Sequence, residues 1–135
     1  MYARHGTRMR RAPVEWTGFP SSRFAAAACM SVIEHGVDTT AFFRECARIL
    51  RPGGLLIVST DYWPDKIDTS EVRLFGLPWR IFSAAEIEAL VETARAHGLR
   101  PAGDPWTAIR AAAERPVEFE GREYTFLFGA LVRAG

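Results

Sequence analysis

The turn that joins a helical segment to an aliphatic run constrains the fold of this chain more than any other part of its sequence. Between residues 42 and 50 the apolar side chains recur at i, i+4, i+7 and i+8, and Asp38 precedes them as a candidate N-cap. Residues 51–54, Arg-Pro-Gly-Gly, end the helix because proline cannot continue the hydrogen-bond ladder and glycine permits a reversal. Four aliphatic residues, 55–58, follow at once. This order predicts an α/β unit whose strand is covered on both faces.

A second apolar run, Phe24 to Val32, precedes the helix. Its four consecutive alanines favour a helix by propensity, whereas its length and boundaries suit a buried strand. A strand, a helix and a strand in that order form one crossover unit. We therefore assign the run from Phe24 to Val32 to a strand rather than to a helix. This assignment predicts parallel strands near 24–32 and 54–59.

One further helix is well marked in the C-terminal half. Ser83 and Glu86 form a capping-box pattern, the following apolar residues line a helical face up to His97, and Gly98 provides a C-terminal cap. His97 is a helix-end residue that interacts with the dipole, so we give it no catalytic role.

The other C-terminal segments are less regular. Residues 123–133 are apolar on both faces and predict an interior strand. A short strand near 98–102 and an alanine-rich helical stretch near 106–114 complete the expected elements. Residues 59–82 are rich in aromatic and turn-forming side chains and predict a long, ordered loop with one short helical turn.

Composition sets the broad class. With 135 residues, 48% of them hydrophobic and 24% charged, the chain suits one compact domain. The formal net charge of +1 gives no electrostatic argument for nucleic acid or membrane, and no apolar run reaches the roughly 20 residues that span a bilayer. Two cysteines, Cys29 and Cys46, form neither a disulfide framework nor a metal site by themselves. We expect a cytoplasmic protein without a membrane partner or a bound metal.

The N-terminal segment differs in charge from the rest. Residues 1–23 hold five arginines against Glu15 alone. We expect residues 1–22 to be a basic, poorly ordered arm and residues 23–135 to be the folded domain. Nucleic-acid binding by the arm is a weaker alternative, because the arm lacks the interleaved aromatic residues that such binding uses.

Three stretches resemble class I S-adenosylmethionine-dependent methyltransferases. Residues 24–36 (FAAAACMSVIEHG) resemble the fourth strand and its exit loop, residues 42–59 (FFRECARILRPGGLLIVS) the next helix and the fifth strand, and residues 124–132 the C-terminal strand. The resemblance implies an α/β fold: a partial Rossmann-like sheet, mostly parallel with an antiparallel C-terminal strand, with helices packed on it. It also implies methyl transfer from S-adenosylmethionine to a small-molecule acceptor.

The resemblance assigns roles to residues at the ends of the two parallel strands. Ligands of α/β sheets bind at the carboxyl ends of the strands. The residues implied near the cofactor are Met30, Ser31, Val32 and Glu34; the candidate catalytic bases are His35 and Asp61; the residues implied near the acceptor are Tyr62 and Trp63.

Each of these assignments has a simpler alternative. Glu34 and His35 also have the pattern of an ordinary solvated pair on the protein surface. For Trp63 and Trp79 the alternative is that they cover the end of the sheet. Cys29, Ser31 and His35 supply a nucleophile and a base, but no G-x-S-x-G elbow or orienting acid accompanies them, which disfavours a hydrolase.

Two features of the family pattern are missing. The sequence has no G-x-G-x-G turn for the cofactor, and Ala25 stands where the family commonly has aspartate. We expect this chain to lack the main cofactor-binding half, and the isolated chain to bind S-adenosylmethionine weakly or not at all. The expected partners are a complementing N-terminal half or further copies in a homo-oligomer. The alternative function is a truncated or degenerate, non-catalytic domain that acts as an oligomerisation or interaction module through the strand at 24–32.

Overall fold

A computed structural model describes residues 6, 8–104 and 114–135. These residues form seven strands and two helices. The elements are β1 (Phe24–Met30), α1 (Thr39–Ile49), β2 (Leu50–Tyr62), β3 (Arg73–Leu74), β4 (Leu77–Pro78), α2 (Ala84–Ala96), β5 (Leu99–Pro101), β6 (Val117–Phe119) and β7 (Arg122–Arg133). Neither helix of these described ranges has the length and apolar character needed to cross a membrane.

The main sheet has the order β1-β2-β7-β5, and β6 pairs with β7. β1 and β2 are parallel, whereas β7 is antiparallel to β2, β5 and β6. Four strands therefore run in one direction and β7 alone runs against them. This confirms the predicted α/β fold with a mostly parallel sheet and an antiparallel C-terminal strand.

Both predicted helix starts are confirmed. The Asp38 carboxylate accepts a hydrogen bond from the backbone N–H of Ala41 at 3.1 Å, which satisfies a donor that the first turn of α1 leaves unpaired. The Ser83 hydroxyl and the Glu86 carboxylate accept from each other's backbone N–H groups and form the capping box of α2. Gly98, with φ of +79°, follows α2 in the left-handed conformation that glycine tolerates best.

The Pro-Gly-Gly turn lies inside β2 rather than before it. Leu50 already pairs with Phe24, and pairing resumes with Leu55 opposite Ala26, so residues 51–54 form an irregularity in the strand. A Cβ atom at Gly54 would lie 2.7 Å from the carbonyl oxygen of Arg51, and only glycine fits this approach. The strand predicted near 54–59 therefore begins at Leu50 and extends to Tyr62.

The predicted loop at 59–82 contains a hairpin. β3 and β4 pair through a two-residue turn, Phe75 and Gly76, in which both residues have positive φ. Isolated bridges join Tyr62 to Phe82 and Ile67 to Ile81, so the segment returns along the end of β2. The structure has this hairpin where we expected a helical turn. The helical stretch predicted near 106–114 lies, except for Glu114, outside the described residues.

Both helices pack on the same face of the sheet. Buried side chains of α1 and α2, among them Phe42, Cys46, Ile87 and Leu90, join strand residues such as Leu56 in the main core. A second buried cluster, Trp63, Trp79, Ile81 and Tyr124, lies beside the segment that follows β2. The two clusters flank the carboxyl ends of β1 and β2, where the sequence places its candidate functional residues.

Candidate functional site

The exits of β1 and β2 lie side by side. The backbone N–H of Ser31 donates to the backbone oxygen of Ser59 at 3.1 Å and lies 3.1 Å from the Ser59 hydroxyl. Ser31 has φ of +53°, so the chain turns sharply as it leaves β1. This turn sends residues 32–35 back across the end of the sheet toward Thr60 and Asp61.

Glu34 is almost completely buried, with 1% of its surface exposed. The Thr60 hydroxyl donates to its carboxylate at 3.4 Å, and the backbone N–H of Arg80 donates to its carbonyl oxygen at 2.9 Å. Burial, reinforced by repulsion from Asp61, raises the pKa of Glu34 to about 7. A solvated surface residue, the simpler alternative for Glu34, does not describe this position.

Asp61 is also buried and lies at the exit of β2. The indole Nε1–H of Trp79 donates to its carboxylate at 2.8 Å. Burial raises the pKa of Asp61, while the Trp79 hydrogen bond and attraction to His35 oppose that rise. Asp61 is therefore a carboxylate with a fixed orientation, held close to a second carboxylate.

His35 completes this group of titratable residues. Its Nδ1 atom is buried and has no hydrogen-bond partner among the described residues. Tyr124 lies nearby, and burial together with the charges of Asp61 and Glu34 raises its pKa to about 12. We call Glu34, His35, Asp61, Trp79 and Tyr124 the carboxylate cluster. Across the described ranges, no three His, Cys, Asp or Glu side chains come together as ligands for a metal ion.

The two residues assigned to the acceptor are enclosed. Tyr62 is fully buried in the main core. Trp63 is buried in the second cluster, and the guanidinium carbon of Arg115 lies 3.9 Å from the centre of its ring. Tyr62 thus supports the end of the sheet, and Trp63 already contacts a cation.

The residues assigned to the cofactor differ in accessibility. Met30 and Ser31 are exposed at the exit of β1, and Val32 is half-buried. A ligand at this edge can contact Met30 and Ser31 directly, whereas the Glu34 carboxylate lies beneath the surface. Met30 and Ser31, with Glu34 beneath them, therefore fit one wall of a cofactor site.

A cavity of about 320 Å³, with a lining of both polar and apolar residues, adjoins the carboxylate cluster. Glu34 and Trp79 line it from the cluster side. Its lining also includes four charged side chains: Lys66, Asp68, Arg80 and Glu86. A second cavity of about 230 Å³, mostly apolar, lies between the sheet and α2.

Burial also bears on the cysteines. Both Cys29 and Cys46 are buried free thiols. Burial raises the pKa of Cys29 to about 11 and that of Cys46 to about 12, which leaves almost no thiolate at neutral pH. Neither thiol is suited to nucleophilic chemistry.

Three members of this site, Thr60, Trp79 and Tyr124, were not among the sequence-predicted site residues. Thr60 and Trp79 contact Glu34 and Asp61, yet Trp79 lies 18 residues beyond Asp61 in the chain. The aromatic richness of residues 59–82 was the available signal for Trp79. Nothing in the sequence pattern marked Thr60, which has the pattern of an ordinary strand residue.

Comparisons with known proteins show which family this chain is similar to. Residues 2–58 match the model of a family described as a methyltransferase domain. The crystal structure of geranyl diphosphate C-methyltransferase from Streptomyces coelicolor A3(2), bound to Mg²⁺, geranyl diphosphate and S-adenosyl-L-homocysteine, has a similar fold, with a TM-score of 0.63 at 19% identity. The superposition covers 93% of this chain and 52% of that one. Residues 2–58 are thus similar to a methyltransferase domain, and the fold of the chain is similar to that of S-adenosylmethionine-dependent methyltransferases.

Similar proteins of known sequence give a finer comparison. A ubiquinone biosynthesis O-methyltransferase of Bradyrhizobium sp. is 49% identical over 41 residues, which make up 30% of this chain and 16% of that protein. A protein of Mycolicibacterium smegmatis, named as a probable S-adenosylmethionine-dependent methyltransferase, is 40% identical over 78 residues, or 56% of this chain and 29% of that protein. The chain thus spans less than a third of the length of these relatives.

Proposed function

We propose that this chain contributes the β1 and β2 exits to a site for methyl transfer from S-adenosylmethionine to a small-molecule acceptor. The observation that carries the proposal is the carboxylate cluster at those exits, in a chain whose residues 2–58 match a methyltransferase-domain family. Three titratable side chains, Glu34, His35 and Asp61, come together at the edge where α/β sheets bind ligands. The roles that we give to these three residues are part of the proposal.

The chemistry asks little of the protein beyond alignment. The cofactor supplies an electrophilic methyl group on a sulfonium, and the acceptor displaces the sulfur in line. If the acceptor is protonated, its proton passes to a base at the site. His35 suits this role because its Nδ1 has no partner in the described part of the chain, whereas Asp61 already accepts from Trp79.

Cofactor contact is assigned to Met30, Ser31, Val32 and Glu34. Met30 and Ser31 form the exposed wall, and Glu34 acts from beneath it. Because the sequence has no Gly-rich turn, this wall alone should bind the cofactor weakly. A partner polypeptide that carries such a turn would complete the site, and the acceptor would lie toward Trp63.

An NMR titration of the full chain with S-adenosylhomocysteine tests this assignment. We expect a millimolar dissociation constant, with chemical-shift changes at the Met30 methyl group and at the amides of residues 31–35. Ser31→Ala should reduce the shifts, whereas Ser21→Ala, an exposed serine before the start of β1, should leave them unchanged.

Two outcomes would count against the proposal. If residues 30–35 showed no chemical-shift change up to several millimolar ligand, they would not form a wall of the cofactor site. Shifts confined to another surface would place the ligand elsewhere. A micromolar constant would instead support cofactor binding and contradict the expectation that this chain lacks the main cofactor-binding half.

A second candidate function, a non-catalytic interaction module, is supported by the edge of the sheet. β1 pairs with β2 on one side, and its other side has no strand partner among the described residues. An unpaired edge is a template for association. This candidate predicts association without cofactor contact.

A further inference from the structure

One end of the main sheet carries an arginine on each of its four successive strands. In the order of the sheet they are Arg23 before β1, Arg51 beside the start of β2, Arg133 at the end of β7, and Arg100 in β5. β1, β2 and β5 begin at this end, and the antiparallel β7 finishes there. These residues are far apart in the sequence, so the fold brings them together. We call the four residues the arginine row.

Hydrogen bonds show that neighbouring members of the row lie close together. The Arg133 guanidinium donates to the Ser22 hydroxyl at 3.1 Å and to the backbone oxygen of Leu50, so it reaches from β7 past β2 to the start of β1. The backbone N–H of Arg23 donates to the backbone oxygen of Ile49 at 2.7 Å, which holds Arg23 beside the start of β2. Because neighbouring strands lie about 4.8 Å apart, the row is roughly 14 Å long.

Arg10 extends the row beyond β1. Its guanidinium carbon lies 4.8 Å from the centre of the Phe19 ring, and its Nη1 donates to the backbone oxygen of Thr17 at 3.2 Å. The Phe19 ring packs edge-on against Phe24, the first residue of β1, with 4.9 Å between the ring centres. Trp16, the neighbour of Thr17, is 72% exposed. The row is therefore continued by a fixed cation and an accessible aromatic ring.

Carboxylates do not neutralise these five arginines. Ion pairs in the described part of the chain involve other basic residues, namely Arg48, Lys66, Arg95 and Arg122. Glu45, which lies near the row, accepts hydrogen bonds from Arg48 and Thr17. Four of the five arginines are exposed, and Arg133 is half-buried. This end of the sheet is therefore a concentrated positive surface.

The carboxylate cluster lies at the opposite end of the strands. On β2 alone, the six residues from Leu55 to Asp61 span about 20 Å. This distance exceeds the screening length of about 8 Å at physiological salt, so the carboxylates there do not repel an anion at the row. The net charge of +1 hides this separation of charge, because it adds the two ends together.

We propose that the arginine row and Arg10 bind the phosphate backbone of a single-stranded nucleic acid. The planar guanidinium group matches phosphate oxygens with two parallel hydrogen bonds. The row follows a line, which suits a strand of phosphates better than the plane of an anionic membrane. Trp16 offers a ring on which a base can stack. The N-terminal arm alone lacks the row, which the fold supplies. The site is independent of the proposed methyl transfer.

Fluorescence anisotropy of a labelled oligouridylate of 12 nucleotides, titrated with the full chain, tests the proposal. At 50 mM salt we expect a dissociation constant on the order of 10 µM. Five phosphate contacts predict that the logarithm of the affinity falls with the logarithm of the salt concentration with a slope of about −3.5. The affinity should therefore fall about a hundredfold between 50 and 200 mM salt.

Substitutions locate the contact. Arg51 and Arg100 are exposed and form no ion pair within the described residues. Arg51→Gln and Arg100→Gln should each weaken binding several-fold and make the salt slope shallower by about 0.7, with the circular dichroism of the wild type. Trp16→Ala should weaken binding about fivefold without changing the slope. Arg73→Gln, at an exposed arginine of the β3–β4 hairpin, should bind like wild type.

Three outcomes would overturn the proposal. The first is no anisotropy change at 200 µM protein and 50 mM salt, whether or not vesicles with anionic lipid bind the chain. The second is a variant with both Arg51→Gln and Arg100→Gln that binds like Arg73→Gln. The third is binding that only Arg8→Gln and Arg11→Gln weaken, which would place the contact on the N-terminal arm instead of the row.

Discussion

The raised pKa of Glu34 makes the free energy of unfolding depend on pH. Its folded pKa of about 7 exceeds the ordinary value of 4.5, so the folded state binds the proton more tightly than the unfolded state. This contribution is fully present below pH 4.5 and is lost as the pH rises through 7. Asp61, whose pKa burial also raises, acts in the same direction.

Glu34→Gln should remove most of this dependence. Between pH 5 and pH 8 we expect wild type to lose up to about 3 kcal/mol in the free energy of unfolding, and Glu34→Gln to lose much less. Urea unfolding at both pH values and one protein concentration measures the difference. Glu118→Gln, an exposed glutamate on β6, serves as the control and should behave like wild type. If Glu34→Gln kept the full loss, the buried Glu34 would not be its source.

The same residues show what the sequence could and could not predict about the site. Glu34, His35 and Asp61 follow strand-like runs, so their place at the carboxyl edge could be predicted from the pattern. Their burial could not, because it depends on the path by which residues 63–82 return and bring Trp79 over Asp61. The roles of these residues, and those of Met30, Ser31, Val32, Tyr62 and Trp63, stay predictions.

At the scale of elements, hydrogen bonds from Thr17 to the buried Glu45 join α1 to the segment before β1. Glu45 accepts from the backbone N–H and the hydroxyl of Thr17 at 2.9 and 2.6 Å, and from Arg48 at 2.8 Å. Arg48, and then Thr17, lower the pKa of Glu45 to about 2 against the effect of burial. This contribution is therefore present above pH 4.5 and is lost as the pH falls through 2, opposite in sign to that of Glu34.

Glu45→Gln should lower the free energy of unfolding by about 1–2 kcal/mol at pH 6, because Arg48 is partly exposed and its attraction is screened. At pH 2.5 the loss should be small. Glu92→Gln removes a matched pair, Glu92 with Arg95 at 3.6 Å on α2, that lies in solvent. It should cost no more than about 0.5 kcal/mol at either pH. An equal loss in the two variants at pH 6 would show that the Thr17 contacts contribute nothing.

Elements differ in how clearly the sequence encodes them. α1 and α2 begin where Asp38 and Ser83 predict, because a capping side chain acts on backbone groups two or three residues away. The β3–β4 hairpin could not be predicted, since strands of two residues have no period. The start of β2 was missed because Pro52 and Gly53 are typical of a turn, while pairing with Phe24 already holds Leu50.

At the scale of the whole molecule, hydrogen exchange tests association through the unpaired edge of β1. β2 lies between β1 and β7, so the amides of Leu56 and Val58 should exchange slowest. The Ser31 N–H donates to β2, and by alternation the N–H groups of Ala28 and Met30 point to the unpaired edge of β1. These edge amides should exchange fast in the monomer.

Edge-to-edge pairing of β1 with β1 of another copy would give these amides hydrogen-bond partners. If the chain associates through this edge, we expect the Ala28 and Met30 amides to exchange more slowly at 500 µM than at 5 µM protein, while the Leu56 and Val58 amides stay slow at both concentrations. NMR exchange measurements on two samples at these concentrations record the rates. Fast exchange of the Ala28 and Met30 amides at 500 µM, in a sample that sedimentation shows to be associated, would exclude the β1 edge as the interface.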